Sequence, residues 1–180
     1  MNDPSIPPDW DYNPSAWLQR VPLIILALIG TGIALYLTFY QLHHWIPTVW
    51  EPFFGRGSEI ILTSRTSYLL PIPDALLGMA AYLLDAISGV IGGIRRWRTL
   101  PWMVLIFGVA VGPLGLVSVM LVIFQPVLYD SWCTLCLLSA VISIVMIGPA
   151  MDEVLASLQY LKQSKKRGYS FWRTFWGVQK

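Results

Sequence analysis

Four long apolar stretches, separated by polar segments, dominate the chain. The first runs from residue 21 to about residue 43 without a charged side chain, and about 20 helical residues are enough to cross the ~30 Å hydrocarbon layer of a membrane. The others cover residues 74 to about 94, 101 to about 124, and 132–151. A tight basic loop with Arg95, Arg96 and Arg98 is predicted after the second stretch, and a short return at residues 125–130 after the third. This pattern predicts an all-α integral membrane protein whose core is a four-transmembrane-helix bundle.

The polar segments divide the chain further. Residues 1–20 are rich in proline and aspartate and predict a polar tail. Residues 21–151 form the predicted membrane domain, and residues 152–180 form a basic and aromatic tail. The longest connection, residues 46–73, contains a short apolar piece at 60–62 that cannot cross a membrane. We expect a long outer loop there, after the first span, with a half-helix that lies on the bundle.

Composition agrees with a membrane protein. Hydrophobic residues make up 56% of the chain and charged residues 12%, roughly half of the ~25% that is usual in soluble domains. The mean hydropathy is +0.60. The formal net charge of +2 gives no indication of a nucleic-acid partner, so membrane lipid is the expected environment.

The distribution of basic residues predicts the orientation. Of the 12 lysines and arginines, only Arg56 and Arg65 lie in the connection after the first stretch. The others lie in the two tails or between the second and third stretches. Because basic segments stay in the cytoplasm, we expect both termini to be cytoplasmic. The start of the fourth helix then faces the periplasm or exterior, where conditions are oxidising.

The most informative residues are the two cysteines, Cys133 and Cys136, at the start of the fourth stretch. Asp130 or Ser131 is predicted to cap a helix there, which places both sulfurs in its first turn, close enough to form a disulfide. The free amides and positive dipole end of that helix favour a thiolate. A redox-active dithiol is our preferred interpretation; two small apolar residues in a lipid-buried helix are the alternative.

Other polar residues are weaker candidates. Asp74, at the head of the second stretch, is a group that could hydrogen-bond a quinone carbonyl in an apolar slot, or simply a helix cap. Asp85 lies within a span, where an ionisable side chain is a functional candidate by default, although contact with a neighbouring helix would also explain it. His43 and His44 are better explained by an interfacial position, and no residue cluster has metal-ligand spacing.

Three motifs in this order resemble the vitamin K epoxide reductase family. They are residues 58–64 (SEIILTS), residues 73–78 (PDALLG) followed by Tyr82, and residues 127–136 (VLYDSWCTLC). The resemblance extends over about residues 21–151, and the last motif is the most specific.

The resemblance implies a membrane thiol–disulfide oxidoreductase that reduces a quinone, either ubiquinone or menaquinone, in a bacterial inner membrane. Cys136 would be the thiolate facing the quinone ring, and Cys133 would exchange with an incoming thiol. Asp74 falls where the family hydrogen-bonds the quinone, and Ser64 falls on a serine that the family often keeps. A thioredoxin-like periplasmic protein would be a natural thiol partner.

The chain departs from the family in its predicted outer loop. Family members carry a cysteine pair there that relays electrons to the membrane pair, whereas this loop has no cysteine and the second position falls at Gly57 or Ser58. Three hypotheses follow. The chain is an oxidoreductase whose thiols come directly from an external partner, a non-catalytic subunit or assembly factor of a membrane complex, or a quinone-binding redox sensor.

Overall fold

A computed structural model describes residues 5–42, 46–68 and 72–178, and within these ranges the chain is helical, with no β-strand. The all-α prediction is therefore confirmed for the described part; the predicted interfacial residues His43 and His44 lie outside it. The helices are α1 (Trp17–Gln41), α2 (Gly57–Leu62), α3 (Asp74–Val90), α4 (Arg96–Thr99), α5 (Pro101–Tyr129), α6 (Thr134–Lys166) and α7 (Phe171–Phe175), with a 3₁₀ turn at Arg65–Tyr68.

Three of these helices, α1, α5 and α6, are long and apolar enough to cross a membrane. α1 packs mainly on α3, and α5 packs mainly on α6, while α6 also contacts α1 and α3 contacts α5. Side chains from all four helices meet in one buried cluster that includes Ala27, Tyr82, Phe107 and Met146. The outward faces remain apolar and exposed, as expected for helices that lipid surrounds rather than water.

Two helix ends differ from the sequence prediction. Residues 125–129 were expected to form part of a short return between spans, but they continue α5, and the chain turns at Asp130 in the left-handed conformation (φ 46°). α6 is capped by Cys133 rather than by Asp130 or Ser131. Val127 and Leu128 extend the apolar run, so the helix is prolonged until a residue that tolerates a positive φ ends it.

The N-terminal segment, residues 5–16, packs against the protein although its composition predicts a tail. The indole of Trp10 donates a hydrogen bond to Gln159 (2.7 Å), and the hydroxyl of Tyr12 donates one to Asp152 (2.6 Å). Both partners belong to the second half of α6. The N-terminal segment and the second half of α6 therefore lie at the same end of the bundle.

A buried polar cluster lies at this end as well. The guanidinium of Arg96, from the segment predicted as a basic loop, is buried and binds both carboxylate oxygens of Glu153, the Nε contact being 2.5 Å. The Ser15 hydroxyl also donates to Glu153. Arg20, predicted at the end of the tail, lies inside α1 and donates to the carbonyls of Gly89 (2.9 Å) and of nearby residues at the end of α3. A cation is thus placed at the negative end of the α3 dipole.

Candidate functional site

The two cysteines are joined by a disulfide at the start of α6, and their Cα atoms are 5.2 Å apart. Cys133 is the N-cap, and its sulfur accepts a hydrogen bond from the backbone amide of Cys136 (3.2 Å). The backbone amide of Cys133 donates to the side chain of Gln125 on α5 (3.0 Å). A thiolate released at either position would lie beside the free amides of a helix N-terminus, which stabilise negative charge.

Glu51, in the connection between α1 and α3, holds that connection on the start of α6. Its carboxylate accepts hydrogen bonds from the backbone amide of Thr134 (2.9 Å) and from the Thr134 hydroxyl. It also accepts one from the hydroxyl of Ser58, at the start of α2. A single carboxylate therefore ties two segments together and gives α6 a second cap, at the Thr134 amide, beside the one that Cys133 provides.

The contact between α2 and the cysteine motif is close. A Cβ atom added to Gly57 would overlap the backbone carbonyl of Trp132, and the rings of Phe54 and Trp132 lie 6.3 Å apart. Cys133 has no exposed surface, whereas Cys136 is half-buried. Cys133 is therefore not accessible to an incoming thiol in this structure.

Cys136 lines a partly open cavity with a volume of about 110 Å³, which we call the large cavity. Its walls are mostly apolar and come from α1, α2, α3, α5 and α6. The polar side chains in its lining are Thr66, Ser67, Asp74, Ser118, Gln125, Tyr129 and Ser139. An apolar slot with a few polar groups and a redox-active sulfur at its edge is suited to a flat apolar ring that carries carbonyl oxygens.

Asp74 lies in the lining of this cavity, at the first residue of α3. Its Oδ1 accepts a hydrogen bond from the side-chain amide of Gln41 (2.8 Å) and one from the backbone amide of Ala75 (2.8 Å). The sequence also suggested that Asp74 is the N-cap residue of the helix, but the N-cap position is occupied by Pro73. The structure thus brings Asp74 and Cys136 to one cavity.

Ser64 is buried beside the cavity but is not among the residues that line it. Its hydroxyl donates to the carbonyl of Ile61 (2.6 Å) and is 2.9 Å from the hydroxyl of Thr66. Thr66 lines the cavity, and its backbone amide donates to the Tyr129 hydroxyl (3.3 Å). Ser64 is therefore placed to orient a residue that reaches the cavity.

Sequence reasoning missed Gln125 and Tyr129, which line the cavity from the last turns of α5. Both belong to the segment that was predicted as a return between spans, where a polar residue carries no particular meaning. The available signal was their spacing: residues four apart lie on the same face of a helix. A prediction that continued the third helix through residue 129 would have placed both side chains on one face, close to the cysteines.

We expect Glu51→Gln to make the disulfide more accessible. Burial raises the pKa of Glu51, but hydrogen bonds from Ser58 and Thr134 outweigh it, so the pKa lies below its ordinary value. Losing charge-assisted hydrogen bonds of about 1.5–3 kcal/mol in total should speed reduction of the disulfide by a water-soluble phosphine about tenfold or more.

Two control measurements test whether that effect is due to Glu51. Glu59→Gln removes a carboxylate from the same connection, where it pairs with the exposed Arg56, and should leave the rate unchanged. Because the pKa of Glu51 is lowered on folding, its contribution is complete above the ordinary carboxyl pKa and is lost as the pH falls through the lowered value. The wild-type rate should rise in that acidic range and the Glu51→Gln rate should not; equal rates at neutral pH would contradict the cap.

Comparison with models of known protein families gives a match to the vitamin K epoxide reductase family over residues 21–150. The matched region begins within α1 and ends within α6, and it includes the cavity, Asp74 and both cysteines. No curated protein matches the chain.

Proposed function

Since the chain belongs to the vitamin K epoxide reductase family, we propose that it is a membrane thiol–disulfide oxidoreductase that couples the Cys133–Cys136 pair to the reduction of a lipid quinone. One observation carries the proposal: the half-buried Cys136 and the carboxyl of Asp74 line the same apolar cavity. Ubiquinone and menaquinone both present a flat ring with two carbonyl oxygens, which fits such a lining.

In the proposed reaction, the reduced pair gives two electrons to the quinone. Cys136 attacks from the cavity side, the sulfur–sulfur bond to Cys133 forms, and the quinone takes up two protons to become a quinol. The dithiol is restored by an external dithiol: one of its thiolates attacks the disulfide to form a mixed disulfide, and its second thiol then releases the reduced pair and leaves the partner with a disulfide. We infer that the protonated carboxyl of Asp74 and the side-chain amide of Gln125, both in the cavity lining, donate hydrogen bonds to the ring oxygens and hold the quinone against Cys136.

We propose that α3 is the fourth membrane span and that the connection before it is a long outer loop. α3 has 17 residues, about 26 Å of helix, which is near the lower limit for a span. The basic tails and the arginines after α3 favour a cytoplasmic position for both termini. The disulfide would then face the periplasm of a bacterial inner membrane, where a thioredoxin-like protein could supply thiols.

The test is a single turnover with purified protein. The disulfide is reduced, excess reductant is removed under anaerobic conditions, and a short-chain ubiquinone or menaquinone analogue is added. We expect one quinol per protein and one re-formed disulfide, measured by quinone absorbance and by alkylation with mass spectrometry. Quinone that binds but remains oxidised over hours would contradict the proposed activity.

A second candidate function is a non-catalytic subunit or assembly factor of a membrane complex. It is favoured by the complete burial of Cys133 together with the absence of cysteines from the connection that covers it. A redox sensor whose disulfide reacts once and slowly would share these features. Co-purification with a fixed set of membrane proteins, and no quinol in the single-turnover test, would favour the subunit.

A further inference from the structure

A second cavity, of about 40 Å³, lies farther along α3, between α3, α5 and α6. It shares Gly78 and Ser118 with the lining of the larger cavity, so the two spaces adjoin. Asp85 belongs to its wall and is 6% exposed, and the Oδ1 atom of this carboxyl is buried without a hydrogen-bond partner among the described residues. A buried carboxyl oxygen without a partner is unfavourable, which calls for a functional explanation.

The small cavity has room for water, although most of its lining is apolar. Its volume corresponds to about two or three water molecules, and a buried water needs two to four polar partners. Asp85, Tyr82, Ser118 and Ser143 supply such partners in its lining. Water in this space would satisfy Asp85 and connect it to the hydroxyl groups nearby.

A chain of hydroxyl groups joins the small cavity to the larger one. The Tyr82 hydroxyl is 2.6 Å from the hydroxyl of Ser143 and 3.0 Å from the hydroxyl of Ser139, and it donates to the Ser139 carbonyl (2.7 Å). Ser143 lines the small cavity, whereas Ser139 lines the large one together with Cys136. These hydroxyls both donate and accept hydrogen bonds, so with water between Asp85 and Ser143 they would form a path for a proton to the large cavity.

The charged groups around Asp85 are occupied by other partners. Arg20, on α1, donates a hydrogen bond to the Gly89 carbonyl. Arg96 donates hydrogen bonds to the Ser88 carbonyl and to the carboxylate of Glu153 on α6. Neither of the two ion pairs among the described residues includes Asp85. Asp85 is thus free to gain and lose a proton without breaking a salt bridge.

We propose that Asp85 is a proton store for the thiol–quinone reaction, linked to Cys136 by the waters of the small cavity and the hydroxyls of Tyr82, Ser143 and Ser139. This inference rests on the proposed function. When the Cys136 thiol forms its thiolate, its proton moves to the carboxylate of Asp85. After two electrons reach the quinone and the disulfide closes, that proton returns to a quinol oxygen. The two thiol protons become the two quinol protons, so no other donor is needed.

The first experiment uses infrared difference spectroscopy on quinone-free protein, comparing the disulfide with the chemically reduced form. We expect reduction to produce the carbonyl band of a protonated carboxylic acid, which shifts in D₂O and is absent from Asp85→Asn. Tyr82→Phe keeps the carboxyl but removes the hydroxyl link, so the band should no longer respond to reduction. If folded wild-type protein shows no such band, the proposal is overturned, whatever the quinone activity.

The second experiment measures the single-turnover rate. Asp85→Asn should slow quinol formation about 10²-fold, as expected when a proton-transfer group is removed, while quinone binding is unchanged. Ser157→Ala is the control. Like Asp85, Ser157 has a buried polar atom without a partner among the described residues, but it lies on α6 and outside the hydroxyl chain. Equal rates for wild type and Asp85→Asn would overturn the proton store while leaving the proposed oxidoreductase intact.

Discussion

Replacing Cys136 by alanine is expected to reduce quinone reduction to the rate of the uncatalysed mixture, a loss on the order of 10³-fold or more. Cys136 is the cysteine that lines the large cavity, whereas Cys133 is fully buried beneath the connection between α1 and α3. Without the Cys136 sulfur, the protein loses both the nucleophile beside the quinone and the partner of Cys133 in the disulfide. Quinone absorbance with excess dithiol measures the rate, and a fluorescence-quenching titration measures binding.

The control for this variant is Leu138→Ala, which removes an exposed side chain from the same part of α6 and should retain the wild-type rate. Cys133→Ala should also be inactive, but its remaining thiol should be alkylated by an apolar reagent that enters the cavity. Turnover by Cys136→Ala at more than a few per cent of the wild-type rate would show that quinone reduction does not use this cysteine pair.

Replacing Glu153 by glutamine is expected to lower the free energy of unfolding by about 3–5 kcal/mol, the usual cost of removing one partner from a buried ion pair. The Arg96 and Glu153 side chains are 1% and 2% exposed. The variant leaves the Arg96 charge buried, close to Arg20 and without a compensating carboxylate. Reversible unfolding of the purified protein in mixed micelles, followed by tryptophan fluorescence, gives the difference.

Asp152→Asn is the matched control because it changes the carboxylate next in the chain. Hydrogen bonding to Asp152, together with burial and the carboxylate charge, raises the pKa of Tyr12 to about 12. The bond between them is exposed, so its loss should cost about 1 kcal/mol or less. Replacing Arg96 and Glu153 together by apolar residues of similar size should recover most of the stability. Equal losses for the two single variants would contradict the buried pair.

The sequence predicted α1, α5 and α6 as apolar helices because each one needs only a local pattern. It also placed Asp74 and Cys136 in one site, through motifs rather than through periodicity. It did not predict the Arg96–Glu153 pair or the cap that Glu51 gives to α6. The partners are separated by 57 positions in the first contact and by 83 in the second. No local preference of either residue indicates its partner.

The end of α5 and the role of Asp85 were missed for different reasons. Gln125 was assigned to the short return between the third and fourth spans, yet the membrane helix continues through Pro126. Asp85 was identified as unusual, but its meaning depends on a cavity and on the hydroxyls of α6 around it. Such a space exists only once three helices have packed, so composition and spacing cannot reveal it.

The docking of the N-terminal segment has a consequence for biosynthesis. The partners of Trp10 and Tyr12 on α6 are synthesised 149 and 140 residues after them. The segment must therefore wait, undocked, until every helix has been synthesised, and it can attach only to a chain that is complete through α6. A translation product that stops before α6 would leave this segment undocked and open to proteolysis.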